Sequence, residues 1–132
     1  MNIASQYYLD FYISNMPGFI PKPSIGVRAI NGSVVNQEIA SFLEPNGIEF
    51  IEHIKNEINS FDYNLPLDDY DVWGFNYTES LRIRCNPPNP AVVVFNTGGT
   101  EVLVPVNDFL EILEEWKAFV ASVPTPHWLE NR

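Results

Sequence analysis

The fold is decided by residues 91–120, AVVVFNTGGTEVLVPVNDFLEILEEWKAFV. Two apolar segments, 91–96 and 101–106, flank Thr97-Gly98-Gly99-Thr100, and paired glycines between such segments favour a β-hairpin because glycine adopts positive φ without strain. The rest of the stretch has the helical period, with its large apolar side chains on one face. These side chains are Phe109, Ile112, Leu113, Trp116, Phe119 and Val120. The stretch predicts an antiparallel hairpin followed by an amphipathic helix that packs on the sheet.

More strands and a second helix are predicted on the N-terminal side of this stretch. The strand candidates are residues 7–14, 25–30, 72–77 and 80–85. Asn31-Gly32 is the dipeptide most favoured in two-residue hairpin turns. Apolar residues recur at helical spacing from Ile48 to Phe61, whereas Pro66 and clustered aspartates indicate a loop over residues 62–71. Segment 34–43 is open between strand and helix.

These elements predict an α+β fold. We expect one domain over residues 1–132, with a mainly antiparallel sheet of about five to six strands and two amphipathic helices packed on it. The composition is 45% hydrophobic and 14% aromatic, which is ample for one core. No stretch approaches the roughly 18 apolar residues of a membrane span, and MNIASQYYLD at the start does not have the pattern of a signal peptide. A cytoplasmic protein without membrane contact is the expectation.

Charge is concentrated in one part of the chain. Residues 38–79, which we call the acidic window, contain ten acidic side chains and one basic one, Lys55. The flanking segments have net charges of +1 and −2, which leaves most of the chain's −10 in the window. Such a field repels nucleic-acid phosphates and steers basic partners towards the protein. The window disfavours direct nucleic-acid binding and suits a basic protein partner.

Within the window, aromatic and acidic residues occur together. Aromatic anchors beside fixed charges are typical of protein interfaces, where tyrosine fills pockets and carboxylates speed encounter. The predicted partner-binding residues are Asp62, Tyr63, Asp68, Asp69, Tyr70 and Asp71, supported by the helix face of Glu49, Glu52 and Glu57. The alternative interpretation is that 62–71 is only a solvated loop.

Residues suited to catalysis are few. The chain has two histidines, His53 and His127, and one cysteine, Cys85, and no nucleophile or phosphate-loop motif accompanies them. A catalytic role for His53 or Cys85 stays open. Glu49, His53 and Glu57 have the i, i+4, i+8 spacing of one helical stripe, which suits a metal, but zinc needs further ligands that the sequence does not identify. The aspartates of 68–71 lack the ligand pattern of a calcium loop. We expect no cofactor and no enzymatic activity.

The C-terminal half of the chain resembles a known class. Residues 72–122, with the hairpin and helix of AVVVFNTGGTEVLVPVNDFLEILEEWKAFV, resemble the small acidic immunity proteins of bacterial toxin systems, including contact-dependent growth inhibition. The resemblance implies a non-enzymatic antitoxin that binds and neutralises a cognate toxin domain, basic and of nuclease type, through an acidic surface. Two alternatives stay open: a small metal-dependent enzyme or binding module centred on His53, and an adaptor subunit of a larger assembly.

Overall fold

A computed structural model describes residues 2–18, 20–44, 47–75, 79–97 and 100–123. The helices in these ranges are α1 (Ile3–Gln6), α2 (Gln37–Leu43), α3 (Ile48–Asn59) and α4 (Val106–Ser122). The strands are β1 (Leu9–Ser14), β2 (Lys22–Val27), β3 (Ala29–Ile30), β4 (Ser33–Val34), β5 (Leu67–Phe75), β6 (Glu79–Cys85), β7 (Val92–Thr97) and β8 (Thr100–Pro105). No helix in these ranges combines the length and the apolar character needed to cross a bilayer. The α+β class is confirmed.

The strands are divided among three antiparallel sheets instead of one main sheet. β1 pairs with β2, β3 pairs with β4, and the largest sheet has the order β5-β6-β7-β8. The predicted sheet of about five to six strands was therefore wrong in its extent, because the N-terminal strands pair with their neighbours along the chain. The two amphipathic helices were predicted and are α3 and α4. Of the two shorter helices, α1 was not predicted, since four residues are too few to display the helical period, and α2 lies in segment 34–43, which the sequence left open between strand and helix.

The described chain divides into two compact units, whose boundaries fall inside α3 and α4. We call residues up to Ile51 together with those from Ile112 the terminal unit, and Glu52–Glu111 the central unit. The single domain expected over residues 1–132 stays a prediction.

An aromatic cluster lies in the core of the terminal unit. The ring of Phe11 on β1 contacts Trp116 edge-on at 5.0 Å, and Phe119 stacks on Trp116 at 6.0 Å. Glu115, beside Trp116 on α4, accepts hydrogen bonds from the backbone amides of Ile3 and Ala4 at 2.9 and 3.0 Å. These amides belong to the first turn of α1 and have no partner within that helix, so this carboxylate is occupied in holding α1.

The central unit is built on the four-stranded sheet. Along β6, Leu81, Ile83 and Cys85 are buried and the residues between them are half-buried, which is the alternation of a strand with one face on the core. Phe109 on α4 packs edge-on against Phe95 on β7, with ring centroids 5.3 Å apart. The apolar face predicted for α4 is thus directed at the sheet in this unit, and burial of each phenylalanine contributes about 1.5–3 kcal/mol.

Both predicted hairpins are present. Asn31 and Gly32 have φ of 50° and 81°, the two positive values that a type I′ turn requires between β3 and β4. β7 and β8 pair up to Thr97 opposite Thr100, although Gly98 and Gly99 between them lie outside the described residues. Segment 34–43, left open by the sequence, is mostly the helix α2.

The predicted loop over residues 62–71 was wrong in its second half. β5 begins at Leu67, directly after Pro66, so the aspartates that suggested a loop lie on a strand. The strand is at the edge of its sheet, and its pairing with β6 is shifted between Leu67 and Tyr70 and again between Asp71 and Trp73. Edge strands accept charged residues and irregular pairing, because both discourage another chain from adding to the sheet. The aspartate cluster thus marks an edge strand.

Candidate functional site

Three of the predicted binding residues lie on α3, as expected. Glu49 and Glu57 are exposed, and neither makes an ion pair within the described ranges. Glu52 is half-buried and already interacts with another part of the chain. Glu49 is in the first turn of α3 and Glu57 is in the last. Glu57 therefore presents its charge at the helix end where carboxylates are unfavourable.

Asp62 lies in the connection that follows α3. Its Oδ1 accepts hydrogen bonds from the backbone amide and the side-chain Nδ2 of Asn64, at 3.0 and 3.1 Å. The side chain is exposed and its Oδ2 has no partner among the described residues. Asp62 therefore orders its own turn and still presents a carboxylate oxygen to solvent.

Tyr63 has an internal role that the sequence did not reveal. Its hydroxyl donates a hydrogen bond to the backbone carbonyl of Ile58, one of the carbonyls left unpaired at the end of α3. Its own carbonyl is contacted by the thiol of Cys85 at 3.4 Å. Burial, and secondly the charge that Cys85 can carry, raise the pKa of Tyr63 from its usual 10 to about 12. Tyr63 holds this connection in place, and only its ring is available to a partner.

The remaining predicted residues lie near the start of β5. Asp68 is exposed and unpaired among the described residues. Asp69, Tyr70 and Asp71 follow it on the strand, and the register places Asp71 opposite Arg82 on β6. The side chains of these three residues lie outside what the structure describes. Among the described strands, β5 pairs on one side only, with β6.

Two carboxylates outside the acidic window form ion pairs with arginine side chains. Asp10 pairs with Arg28 in the terminal unit at 3.2 Å, and Glu101 pairs with Arg84 in the central unit at 3.1 Å. The central unit contains ten acidic residues and three basic ones, Lys55, Arg82 and Arg84. All three of these bases already interact within the chain. The exposed carboxylates of Glu57, Asp62 and Asp68 have no cationic partner among the described residues.

The described contacts give no support to a metal site or to a catalytic role for Cys85 or His53. In the part of the chain that the structure describes, no group of three or more His, Cys, Asp or Glu side chains is arranged to hold a metal ion. Cys85 is 3% exposed and its thiol contacts the carbonyl of Tyr63, so neither a histidine nor a carboxylate of the described chain activates it as a nucleophile. His53 is exposed on α3, and His127 lies outside the described residues.

A cavity of about 370 Å³ opens on the surface of the central unit. It lies where three segments meet: the end of α3 with the following turn (59–63), the entrance to β7 (90–91) and the junction of β8 with α4 (105–110). The backbone amide of Val106 donates to the carbonyl of Ala91 at 3.0 Å, which fixes the second segment against the third. The volume is within the range of about 300–1,000 Å³ that is typical of ligand pockets.

The cavity has apolar walls and polar groups at its edge. The rings of Phe61 and Tyr63 are 6.3 Å apart at 60° and form one wall. Leu110 and Val106 contribute to another wall, and the exposed amides of Asn59 and Asn107 are part of the lining. Neither amide side chain makes a hydrogen bond to another described residue.

Two acidic residues are neighbours of the cavity lining along the chain. Asp62 lies between the wall residues Phe61 and Tyr63, and Glu111 follows Leu110 and is one helical turn beyond Asn107. Glu111 is exposed, with no ion pair in the described ranges, and none of the cavity-lining residues is basic. The lining is therefore mostly apolar and carries no charged side chain, and it belongs to a unit whose ten acidic and three basic residues give a net charge of −7.

Of the residues predicted from the sequence to bind a partner, Tyr63 lines this cavity, and its binding role stays a prediction. Asn59, Asn107 and Leu110 were missed, because segments about 30 and 15 residues apart converge only in the folded chain. The nearest signal was two prolines, Pro90 just before β7 and Pro105 at the end of β8.

Comparisons with protein-family models, with curated proteins and with solved structures found no match to this chain.

Proposed function

We propose that this protein is an inhibitor of the immunity-protein type, which binds a basic toxin domain through carboxylates of its acidic window and blocks that domain's catalytic surface. The observation that supports the proposal best is that the exposed carboxylates of Glu57, Asp62 and Asp68 have no cationic partner among the described residues. An inhibitor of a nuclease-type domain needs such groups, because carboxylates can occupy the cationic positions that otherwise hold substrate phosphates.

The placement of these charges also argues for a role outside stability. Glu57 lies in the last turn of α3, where a carboxylate opposes the helix dipole at a cost of about 0.3–1 kcal/mol. Asp68 lies at the exposed edge of a sheet and compensates no charge that the structure describes. Residues that weaken their own element and present their charge to solvent are typical of binding surfaces.

The proposed surface lies within the central unit. It comprises the last turn of α3, the connection with Asp62, and the start of β5, which are consecutive along the chain. Asp69, Tyr70 and Asp71 complete the predicted set on β5, and Glu52 belongs to the same unit, whereas the predicted residue Glu49 lies in the terminal unit and is not part of this surface. A basic partner is attracted by the net charge of the unit before contact, which raises the association rate, and the aromatic residues supply contact area.

The partner is the first thing to identify. The full chain is immobilised and exposed to extract from its own source, and proteins are eluted with increasing salt. We expect a basic protein domain to be retained in equal amount and to lose its toxic or nuclease activity when this chain is added. Retention only of acidic or neutral proteins, or an uninhibited partner, would contradict the proposal.

The acidic surface is then tested with Glu57→Gln and Asp68→Asn in one variant. We expect its association rate with the retained domain to fall about three- to tenfold at low salt, because steering contributes orders of magnitude to association between charged proteins. Asp10→Asn with Glu101→Gln is the matched control, since it removes the same charge from carboxylates that are already paired. Equal association by the two variants would rule out this surface.

A further inference from the structure

We infer that the cavity of the central unit is a socket for one arginine side chain presented by the partner protein. The inference rests on the proposed function and adds to it the residue type that anchors the complex. It follows from the lining of the cavity, from two amide side chains in that lining that have no hydrogen-bond partner among the described residues, and from the negative charge of the central unit.

The walls suit the long apolar part of arginine. Phe61 and Tyr63 form an aromatic wall, and Val106 and Leu110 provide aliphatic surface. Arginine lays its methylene stem on apolar surface and stacks its planar cation on aromatic rings, which a lysine does less well. The hydroxyl of Tyr63 is held by the carbonyl of Ile58, so its ring is fixed in place before a partner arrives. Such preorganisation lowers the entropic cost of binding.

The polar groups suit the donors of a guanidinium group. The amides of Asn59 and Asn107 make no hydrogen bond within the described chain, and each offers a carbonyl oxygen. A guanidinium group carries five N–H donors in a fixed planar fork and accepts nothing, so acceptors around an apolar slot match it. A purely apolar side chain would fill the walls and leave these amides without partners.

The negative charge of the central unit, and of the two acidic neighbours of the lining along the chain, favours a cation over an anion. Asp62 keeps one carboxylate oxygen unpaired, and Glu111 has no partner in the described ranges. Lys55, one helical turn before Asn59, is the nearest base along α3 and already interacts within the chain. A buried aromatic or arginine anchor in a fitted pocket is the usual centre of a tight interface. Here the pocket is on this protein and the anchor is on its partner.

The test uses NMR spectroscopy of the full, isotope-labelled chain with a small probe, Nα-acetyl-arginine methylamide. Its uncharged isostere, the citrulline analogue, is the control ligand. We expect arginine to shift the amide resonances of residues 59–63 and 105–111 with a dissociation constant on the order of millimolar, as for a single side chain. The citrulline analogue should shift them far less. Equal shifts with both probes, or shifts scattered over the surface, would overturn the inference.

Variants separate the socket from the rest of the acidic surface. Asp62→Asn with Glu111→Gln should raise the probe's dissociation constant about three- to tenfold, the range of two exposed ion pairs. Asp10→Asn with Glu101→Gln should leave that constant unchanged. If the toxin domain is retained but the Asp62 and Glu111 variant binds it normally, the socket is wrong and the inhibitor function stands. If the probe binds in the cavity but no basic protein is retained, two proposals are overturned together: the inhibitor function, and the idea that a partner protein supplies the arginine.

Discussion

Among single residues, Tyr63 connects three features of the central unit. Its hydroxyl binds the end of α3, its carbonyl meets the thiol of Cys85, and its ring is part of the cavity wall. Because the ionised phenolate can neither donate to the carbonyl of Ile58 nor be solvated well in this position, folding favours the neutral form. The pKa of Tyr63 accordingly rises to about 12, first through burial and secondly through Cys85.

This shift predicts how stability changes in alkaline solution. The folded pKa of Tyr63 lies above the unfolded value, so its contribution is fully present below about pH 10 and is lost as the pH rises through about 12. Tyr63→Phe should remove this alkaline loss, while at neutral pH it costs about 1 kcal/mol for the missing hydrogen bond. Urea unfolding of both proteins across this pH range gives the comparison.

A second variant checks the cause of the shift. Cys85→Ser removes the ionisable thiol, so the pKa of Tyr63 should fall but stay above its usual 10, since burial is the larger cause. Ultraviolet absorbance of the phenolate measures it, with Tyr63→Phe subtracted to isolate one of the six tyrosines. If Tyr63→Phe loses stability at high pH as steeply as the natural chain, Tyr63 is not the group responsible.

Among the elements, α3 offers an internal comparison, because two exposed glutamates occupy its opposite ends. Glu49 in the first turn is favoured by the helix dipole and Glu57 in the last turn is disfavoured, each by about 0.3–1 kcal/mol. Glu49→Gln should therefore lower the free energy of unfolding, and Glu57→Gln should raise it by a similar amount. His53 lies four residues from each, so its effect largely cancels between the two variants.

Thermal or denaturant unfolding of both variants measures this difference, and salt should diminish it. A change of the same sign in both would show that the dipole does not govern these positions. A gain in stability with Glu57→Gln, accompanied by slower partner association, would identify Glu57 as a residue retained for binding at the expense of its helix.

At the same scale, local patterns explain which elements were predictable. The turn at Asn31-Gly32, α3 and α4 were found as predicted, because two positive φ values and a sustained helical period are encoded in adjacent residues. β5 was partly missed, since Asp68 and its neighbours look like a loop in sequence and lie on an edge strand in the structure. Whether a charged strand is tolerated depends on its place in the sheet, and sequence alone does not contain that information.

For the molecule as a whole, the sequence located the charge but not the cavity. The acidic window follows from counting residues, whereas the cavity depends on the meeting of segments 59–63, 90–91 and 105–110. Nothing in the sequence around Asn107 and Leu110 indicates binding, and they are candidates only because they line the same cavity as Phe61. The proposal that diffuse charge speeds the encounter and that the cavity anchors the partner therefore depends on the folded structure as well as on the sequence.

These two roles predict different kinetic effects for two pairs of carboxylates in the complete protein, Glu57 with Asp68 and Asp62 with Glu111. Charges that act before contact mainly set the association rate, whereas groups that pair directly with a bound side chain mainly set the dissociation rate. Glu57→Gln with Asp68→Asn should slow association and leave dissociation within about twofold, while Asp62→Asn with Glu111→Gln should speed dissociation about tenfold.

At roughly 1 M salt, where screening acts over about 3 Å, the slower association of the first variant should disappear and the faster dissociation of the second should persist in part. Stopped-flow or surface-based binding kinetics with the retained toxin domain measure both rates, and the combined variant should show slower association together with faster dissociation. Faster dissociation from the Glu57 and Asp68 variant, equal to that of the cavity variant, would mean that one continuous charged contact, without a socket, holds the partner.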